Sequence, residues 1–397
     1  MLVLQWLGWG SEGPALFVER PALIIATLNV KGVRIMLSEP LHDSTSPRLS
    51  ILYISYPLLA ISDESAGGAE QMLLTLEREI VRAGHRTTVA ACDGSRVSGR
   101  LLATGEPVKV ADAFDPRERE HCARILDYLG EHPDEFDLIH DESGSFFRHA
   151  DRCSVPVLAT LHLPRSFYRE DWFCRTPKSA ILNCVSQSQA QTFADVTNVI
   201  GVVQNGIAVD RFTLCERKRD YLLWIGRICE EKAPHAAIAA AKQAGMHLFI
   251  AGQVYPFSYH QQYFERAICP SLGEGVSCVD SPLFEDKVAL LQNARALLLT
   301  STAEETSSLV AMEAMACGTP VIAVRRGAFP EIVAHGKTGF IVDDVREMAS
   351  AVAGLSEIDP AKCSWRVEEM FSAQRMARDY ERIYHRVVAK HGGRAAA

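Results

Sequence analysis

The pattern of apolar runs makes this chain an α/β protein with two parallel-sheet domains. Three observations carry that expectation. The chain has 397 residues, too many for one compact core. Short buried-type strands alternate with helical patterns along it, the mark of βαβ units. Several of those strands end in Gly, His or Asp, where the ligand site of an open parallel sheet lies. Composition agrees, since 48% hydrophobic and 23% charged residues make a globular balance. The net charge of −8 speaks against a general nucleic-acid binder and leaves room for a local basic pocket.

Residues 1–48 are read as a poorly ordered extension. They hold Trp6, Trp9 and short apolar patches, then a Ser-, Thr- and Pro-rich run at 40–48, and they lack the basic start of a signal peptide. An added edge strand over 30–36 is the second reading. Order begins with a strand at 49–54. A loop through Pro57 leads to Gly67-Gly68-Ala69-Glu70, and residues 71–83 carry Met72, Leu73, Leu76, Ile80 and Val81 at helical spacing. Paired glycines at a strand-to-helix turn let a backbone approach a phosphate or sugar, although Gly-Gly alone is most often just a turn. Further strands fall at 87–91, 137–141, 155–162, 180–185 and 199–203. His140, Asp141 and His162 are candidates by their place at strand ends, and a lone His there is more often a packing residue. Asn205-Gly206 is a turn signal. The charged stretch 212–220 is read as the interdomain linker, so the first domain covers 49–211.

The second domain, 221–370, opens with a strand at 221–225. Gly226-Arg227 ends that strand, Glu230-Glu231-Lys232 follows, and a helix covers 234–245. Arg227 and Lys232 stand five apart across a strand-to-helix turn. Arg offers a fork for two phosphate oxygens and Lys a mobile point charge, whereas the bland reading is two surface cations. A strand at 247–252, an aromatic-rich helix and loop at 255–265, a strand and turn at 276–284 and a helix at 287–294 come next. The apolar run 294–300 is a strand, 301–308 a polar turn, 309–317 a helix stopped by Gly318, and 321–324 another strand. Residues 345–355 are helical, 371–390 form a terminal amphipathic helix, and 390–397 should fray.

Two carboxylates in that last unit are conspicuous. Glu305 stands at the helix entrance. Glu313 lies among Leu309, Val310, Ala311, Met312, Ala314, Met315 and Ala316, on a helix apolar nearly all round and therefore buried. A buried carboxylate needs hydrogen-bond partners. A sugar diol is one; a buried Arg, or a neighbouring helix end to cap, is another. The amides of Thr306, Ser307, Ser308 and Leu309 open the helix and form an anion site suited to phosphate.

Glu305-x7-Glu313 followed by AMACGTPVIA, RRGAFPEIV and GKTGFIVDD resembles the donor-binding signature of family 4 retaining glycosyltransferases. Gly226-Arg227…Glu231-Lys232 resembles the GR-x-x-x-EK motif of that family, and Gly67-Gly68-Ala69-Glu70 its GGAE loop; together the resemblance spans residues 49–388. It implies the GT-B fold, two facing Rossmann-like doubly wound parallel-sheet domains with a cleft between them, and a terminal helix crossing back to the first domain. It implies a nucleotide diphosphate sugar as donor and co-substrate, no other cofactor, no metal, and retention at the anomeric carbon. Arg227 and Lys232 would hold the diphosphate, Glu313 the ribose and Glu305 the transferred sugar. His162 would support the sugar from the facing domain, with Gly67, Gly68 and the amides of Thr306, Ser307, Ser308 and Leu309 lining the donor site. The acceptor, a sugar, lipid or small molecule, is not coded in the first-domain loops; Asp141-Glu142-Ser143-Gly144 is the stretch placed to face it.

The family often has Gly-Phe-Gly where this chain has Thr306-Ser307-Ser308. That departure keeps a rival in view, a catalytically silent nucleotide-sugar-binding or scaffold protein. An epimerase of the same architecture would lack the paired Arg227/Lys232 and Glu305/Glu313. The 11 scattered cysteines, with no CxxC pair and no Cys/His cluster at metal spacing, point to reduced thiols and a cytoplasmic setting. No apolar run reaches membrane-spanning length, which leaves peripheral membrane contact open.

Overall fold

A computed structural model describes residues 47–63, 67–107, 114–174 and 176–392. The expectation for the leading extension therefore falls, apart from its last two residues, outside the described residues, as does most of the frayed end.

Two parallel sheets form the frame. The first contains β1 (Ser50–Ile54), β2 (Arg86–Ala91), β3 (Arg100–Ala103), β4 (Leu138–Asp141), β5 (Val157–Leu161), β6 (Ala180–Cys184) and β7 (Val199–Val202), in the order β3-β2-β1-β4-β5-β6-β7. The second contains β8 (Tyr221–Ile225), β9 (His247–Gly252), β10 (Val276–Asp280), β11 (Ala296–Leu299), β12 (Val321–Val324) and β13 (Gly339–Val342), in the order β10-β9-β8-β11-β12-β13. Neighbouring strands in both sheets run parallel, Ile51 lying beside Thr87 on one side and Leu138 on the other. This is the doubly wound GT-B architecture. In each sheet the order reverses at the first strand, so a crevice opens between the carboxyl ends of β1 and β4 and another between those of β8 and β11.

Helices cover both faces of each sheet. They are α1 (Gly68–Arg82), α2 (Phe114–Glu131), α3 (Glu170–Cys174), α4 (Gln187–Thr192), α5 (Pro234–Ala244), α6 (Ser258–Tyr263), α7 (Phe284–Asn293), α8 (Leu309–Ala316), α9 (Phe329–Ile332), α10 (Val345–Ala351), α11 (Pro360–Met370) and α12 (Ala373–Lys390). Side chains alternate along β1 as the pleat requires. Leu52 and Ile54 enter a core with Ile125, Phe146, Phe147 and Phe193, while Ile51 and Tyr53 enter another with Leu73, Leu76 and Ile80 of α1.

That second core also takes Met376, Ala377, Tyr380, Tyr384 and Val387 of α12, so the last helix docks on the first sheet beside α1. The Asn205-Gly206 turn makes the dock possible. A Cβ on Gly206 would stand 2.4 Å from the carbonyl oxygen of Ser372, too close for any side chain, and Ile207 pairs with Ser372 in an isolated bridge. Between the sheets, residues 212–220 are pinned rather than loose. Lys218 donates to the carbonyls of Gln292 and Cys317 and to Thr319 Oγ1, at 2.8–2.9 Å. Among the described residues no helix is long and apolar enough to cross a membrane.

Candidate active site

The two crevices meet the predicted residues from opposite sides. From the second sheet, β8 runs into Arg227 and a short turn, Glu230–Lys232, while β11 runs into the loop bearing Glu305 and then α8. The turn and the loop are tied together. Thr302 N and Ser301 Oγ both donate to the Glu231 carbonyl, at 2.8 and 3.0 Å. The two cations reach separate carboxylates. Lys232 Nζ donates to Glu305 Oε1 at 2.5 Å, and Arg227 Nη2 to Glu231 Oε1 at 2.9 Å while its guanidinium lies over the Tyr255 ring. Gly327, at φ 51°, lies against the Glu305 backbone; a Cβ there would come within 2.3 Å of the Glu305 carbonyl oxygen, so only glycine lets the two loops close.

The helix start at α8 is organised by its own serine. Ser308 is the N-cap, and its hydroxyl accepts from Ala311 N at 3.4 Å. Thr306 uses its hydroxyl differently, donating to the His162 carbonyl of the facing domain at 2.6 Å. Thus two of the three residues that stand in place of the usual glycine-rich segment have defined work for their hydroxyls. Glu313, only 6% exposed, receives Lys287 Nζ at 2.8 Å. Its partner is a lysine of α7, neither the Arg nor the helix end that the sequence suggested.

From the first sheet, Gly67 and Gly68 open α1. The Glu70 side chain folds back over that opening, so that a Cβ on Gly67 would collide with the carboxylate. Burial pushes the Glu70 carboxyl above its ordinary value against the opposing pull of His162. His162 Nε2 lies 2.5 Å from Glu142 Oε2, whose other oxygen is 3.2 Å from His140 Nε2. Burial lowers His140 to about 4, so it is neutral near pH 7. Its Nδ1 meets the Tyr384 hydroxyl at 2.7 Å and its Nε2 Thr160 Oγ1 at 2.8 Å. Glu142, reached in the sequence only as part of a loop facing the acceptor, is the residue that holds His162. Asp141 accepts from Ser143 N, Ser143 Oγ and Phe147 N, which ties down the loop after β4.

A cavity of about 590 Å³ opens beside this constellation, lined by Arg165, Tyr168, Glu170 and Gln189 of the first domain and Glu305 and Thr306 of the second. Asp343 and Asp344 take no part: the first pairs with Arg325 and the second caps α10.

Residues 66–211 match the family model Glycosyltransferase Family 4, and residues 219–357 match the model Glycosyl transferases group 1. The chain belongs to the GT-B glycosyltransferases. This glycosyltransferase is 25% identical over 373 residues to the D-inositol 3-phosphate glycosyltransferase of Mycolicibacterium smegmatis, an alignment spanning 81% of this chain and 86% of that protein. Its fold is similar to that of sucrose-phosphate synthase from Thermosynechococcus elongatus, with a TM-score of 0.72 at 20% identity over 86% of this chain and all of the other. It is similar as well to Anabaena HepE, solved in complex with UDP and glucose, with a TM-score of 0.67 at 16% identity over 85% of this chain and all of the other.

Two further groupings of metal-type side chains depend on the fold. Cys229, Glu231 and His260 come together beside Arg227, and His85, Glu381 and His385 come together where α12 meets the first domain. Each joins a near-neighbour pair, Cys229 with Glu231 and Glu381 with His385, to a histidine distant in the chain, His260 or His85, which only the fold brings close.

Proposed function

We propose that this glycosyltransferase moves a hexosyl group from a nucleotide diphosphate sugar to an acceptor hydroxyl, with retention at the anomeric carbon and without a metal in the transfer step. The observation that carries the reading is the meeting of Lys232 with Glu305 beside the capped start of α8, opposite His162. A leaving diphosphate gains negative charge as the sugar becomes oxocarbenium-like. Arg227, Lys232 and the amides around Ser308 and Leu309 stabilise that charge, the role a metal plays elsewhere. Glu305 exchanges its lysine for the sugar hydroxyls once the diphosphate claims Lys232. Glu313 holds the ribose, with Lys287 aiming the carboxylate. His162, fixed by Glu142, supports the sugar from the other side. The leaving phosphate takes the acceptor proton, so the step calls for no protein base. The 590 Å³ cavity receives the acceptor, a sugar, lipid or small molecule. Eleven cysteines with no disulfide among them fit a cytoplasmic setting.

The second reading, a silent nucleotide-sugar binder, draws on the Thr306 bridge to His162, which spans the cleft where a sugar would sit. Turnover separates the two. Nucleoside diphosphate release from a panel of nucleotide sugars in the presence of a chelator, with the anomeric configuration of the product read by NMR, tests the proposal. A retained configuration undiminished by the chelator supports it. Binding without release under any donor and acceptor supports the silent binder, and an inverted product or a chelator-abolished reaction contradicts the mechanism.

A further inference from the structure

We propose that Cys229, Glu231 and His260 form a site for a divalent transition-metal cation of the zinc class, at the turn that links Arg227 to Lys232. One ligand atom from each residue, a sulfur, a carboxylate oxygen and an imidazole nitrogen, lies within 4.8 Å of the others. Three ligands around tetrahedral zinc sit about 3.5 Å apart, so closing the set asks for side-chain movements on the order of an ångström. The mixed S, O and N donor set suits a borderline-soft ion rather than magnesium or calcium.

The second observation is the state of His260. The residue is fully buried, and neither ring nitrogen has a hydrogen-bond partner among the described residues. Leaving a buried polar atom unsatisfied costs about 1–3 kcal/mol, and native structures seldom leave one without a use. Phe257 and Tyr259 pack against the ring, with centroids 5.4 and 4.2 Å away, so local aromatic packing holds the imidazole in place without meeting its polar needs. Burial, with Arg227 adding to it, holds the imidazole below its ordinary value. Cys229 is buried at the start of the turn and its thiol is pushed up by burial, so coordination forms a metal–sulfur bond as the thiol proton leaves to solvent. Glu231, about one-third exposed, gives the ion a way in. Arg227 opposes binding by sharing the Glu231 carboxylate at 2.9 Å. The new thiolate offsets that repulsion, and the carboxylate has a second oxygen to offer.

The other such cluster does not fit a metal. Leu49 N donates to His85 Nδ1 at 3.0 Å, which places the ring proton on Nε2, and that nitrogen faces Glu381 Oε1 at 3.1 Å. The lone pair a metal would need is already committed.

The site lies outside the groups assigned to the transferred sugar, so it can be tested without turnover. The full chain, stripped of metals by chelator and dialysed, is titrated with cobalt(II). The expected result is thiolate-to-cobalt charge-transfer absorption that saturates at one ion per chain, is lost in Cys229→Ser, and needs at least about tenfold more cobalt in His260→Gln. Thermal unfolding of both variants checks that they remain folded. Absence of that absorption in the wild-type chain, or an unchanged band in Cys229→Ser, overturns the proposal.

Discussion

Lys232 Nζ stands 2.5 Å from Glu305 Oε1, joining the turn after β8 to the loop after β11. The pair is partly open to solvent, with 32% and 15% of the two side chains exposed, so its contribution to stability is at most about 1 kcal/mol. Its value is positional. Lys232→Ala is expected to lower kcat/KM by about 10²–10³-fold, the loss seen when a single charge-stabilising group is removed, while the melting temperature moves only slightly. Steady-state kinetics beside a thermal melt checks this, and unchanged turnover would remove Lys232 from the diphosphate site.

Glu313 and Lys287 separate a binding role from a structural one. If the carboxylate holds the ribose, Glu313→Ala weakens nucleotide binding at least about tenfold, about 1.4 kcal/mol. Lys287→Met, which leaves the carboxylate in place, should weaken it less. Calorimetric titration of both variants distinguishes the roles. Equal losses would show that the pair serves packing alone.

Tyr384 fastens the terminal helix to the first sheet. Its hydroxyl meets Tyr53 OH at 3.0 Å and His140 Nδ1 at 2.7 Å, all fully buried. Tyr384→Phe leaves those partners unsatisfied and should cost about 1–3 kcal/mol by urea unfolding. A smaller loss would mean that α12 is held by its apolar face and not by this network.

Acid should destabilise the fold partly through His121. The ring is buried beside Arg117, with Nδ1 2.7 Å from Thr104 Oγ1, and burial first and then Arg117 bring it from 6.5 down to about 4. The folded pKa is the lower one, so the unfolded chain binds more protons between those values and stability drains away as the pH falls. From pH 7 to pH 5 this ring should remove about 2 kcal/mol. His140 acts in the same direction, and Asp141, raised by burial to about 6, acts against both. Urea unfolding at the two pH values, in wild type and His121→Asn, isolates the contribution. A pH dependence unchanged in the variant would contradict it.

Much of the fold could be read from residue order because buried parallel strands are short apolar runs flanked by turn residues. β1, β5, β8, β9 and β12 stand within a residue or two of their expected limits. β3 was invisible: Arg100–Ala103 is a four-residue edge strand exposed at both ends, with only Leu101 and Leu102 half-buried, too short a run to read as a strand. α2 was missed because its 18 residues are rich in charge and bury little beyond Cys122, Ile125 and a few polar residues such as His121. At the candidate site, Arg227 stood out by its place after a strand and Glu313 by its place on an apolar helix, whereas Lys232 and Glu305 lie in a turn and a loop and stood out through the motifs they share with the family. Their partners did not. The grip of Glu142 on His162, the bridge from Thr306, and the placing of His260 beside Cys229 and Glu231 all join residues that only the folded chain brings together.

The most direct measurement is a thermal melt with UDP, GDP and ADP in turn, on wild type and Glu313→Ala. A ligand at about 100 times its Kd adds about 2.7 kcal/mol, a shift of several degrees for domains of this size. One nucleotide should raise the wild-type melting temperature by that much and the variant's by clearly less. No shift with any nucleotide, or the same shift in both proteins, would contradict a donor site built on Glu313, Arg227 and Lys232.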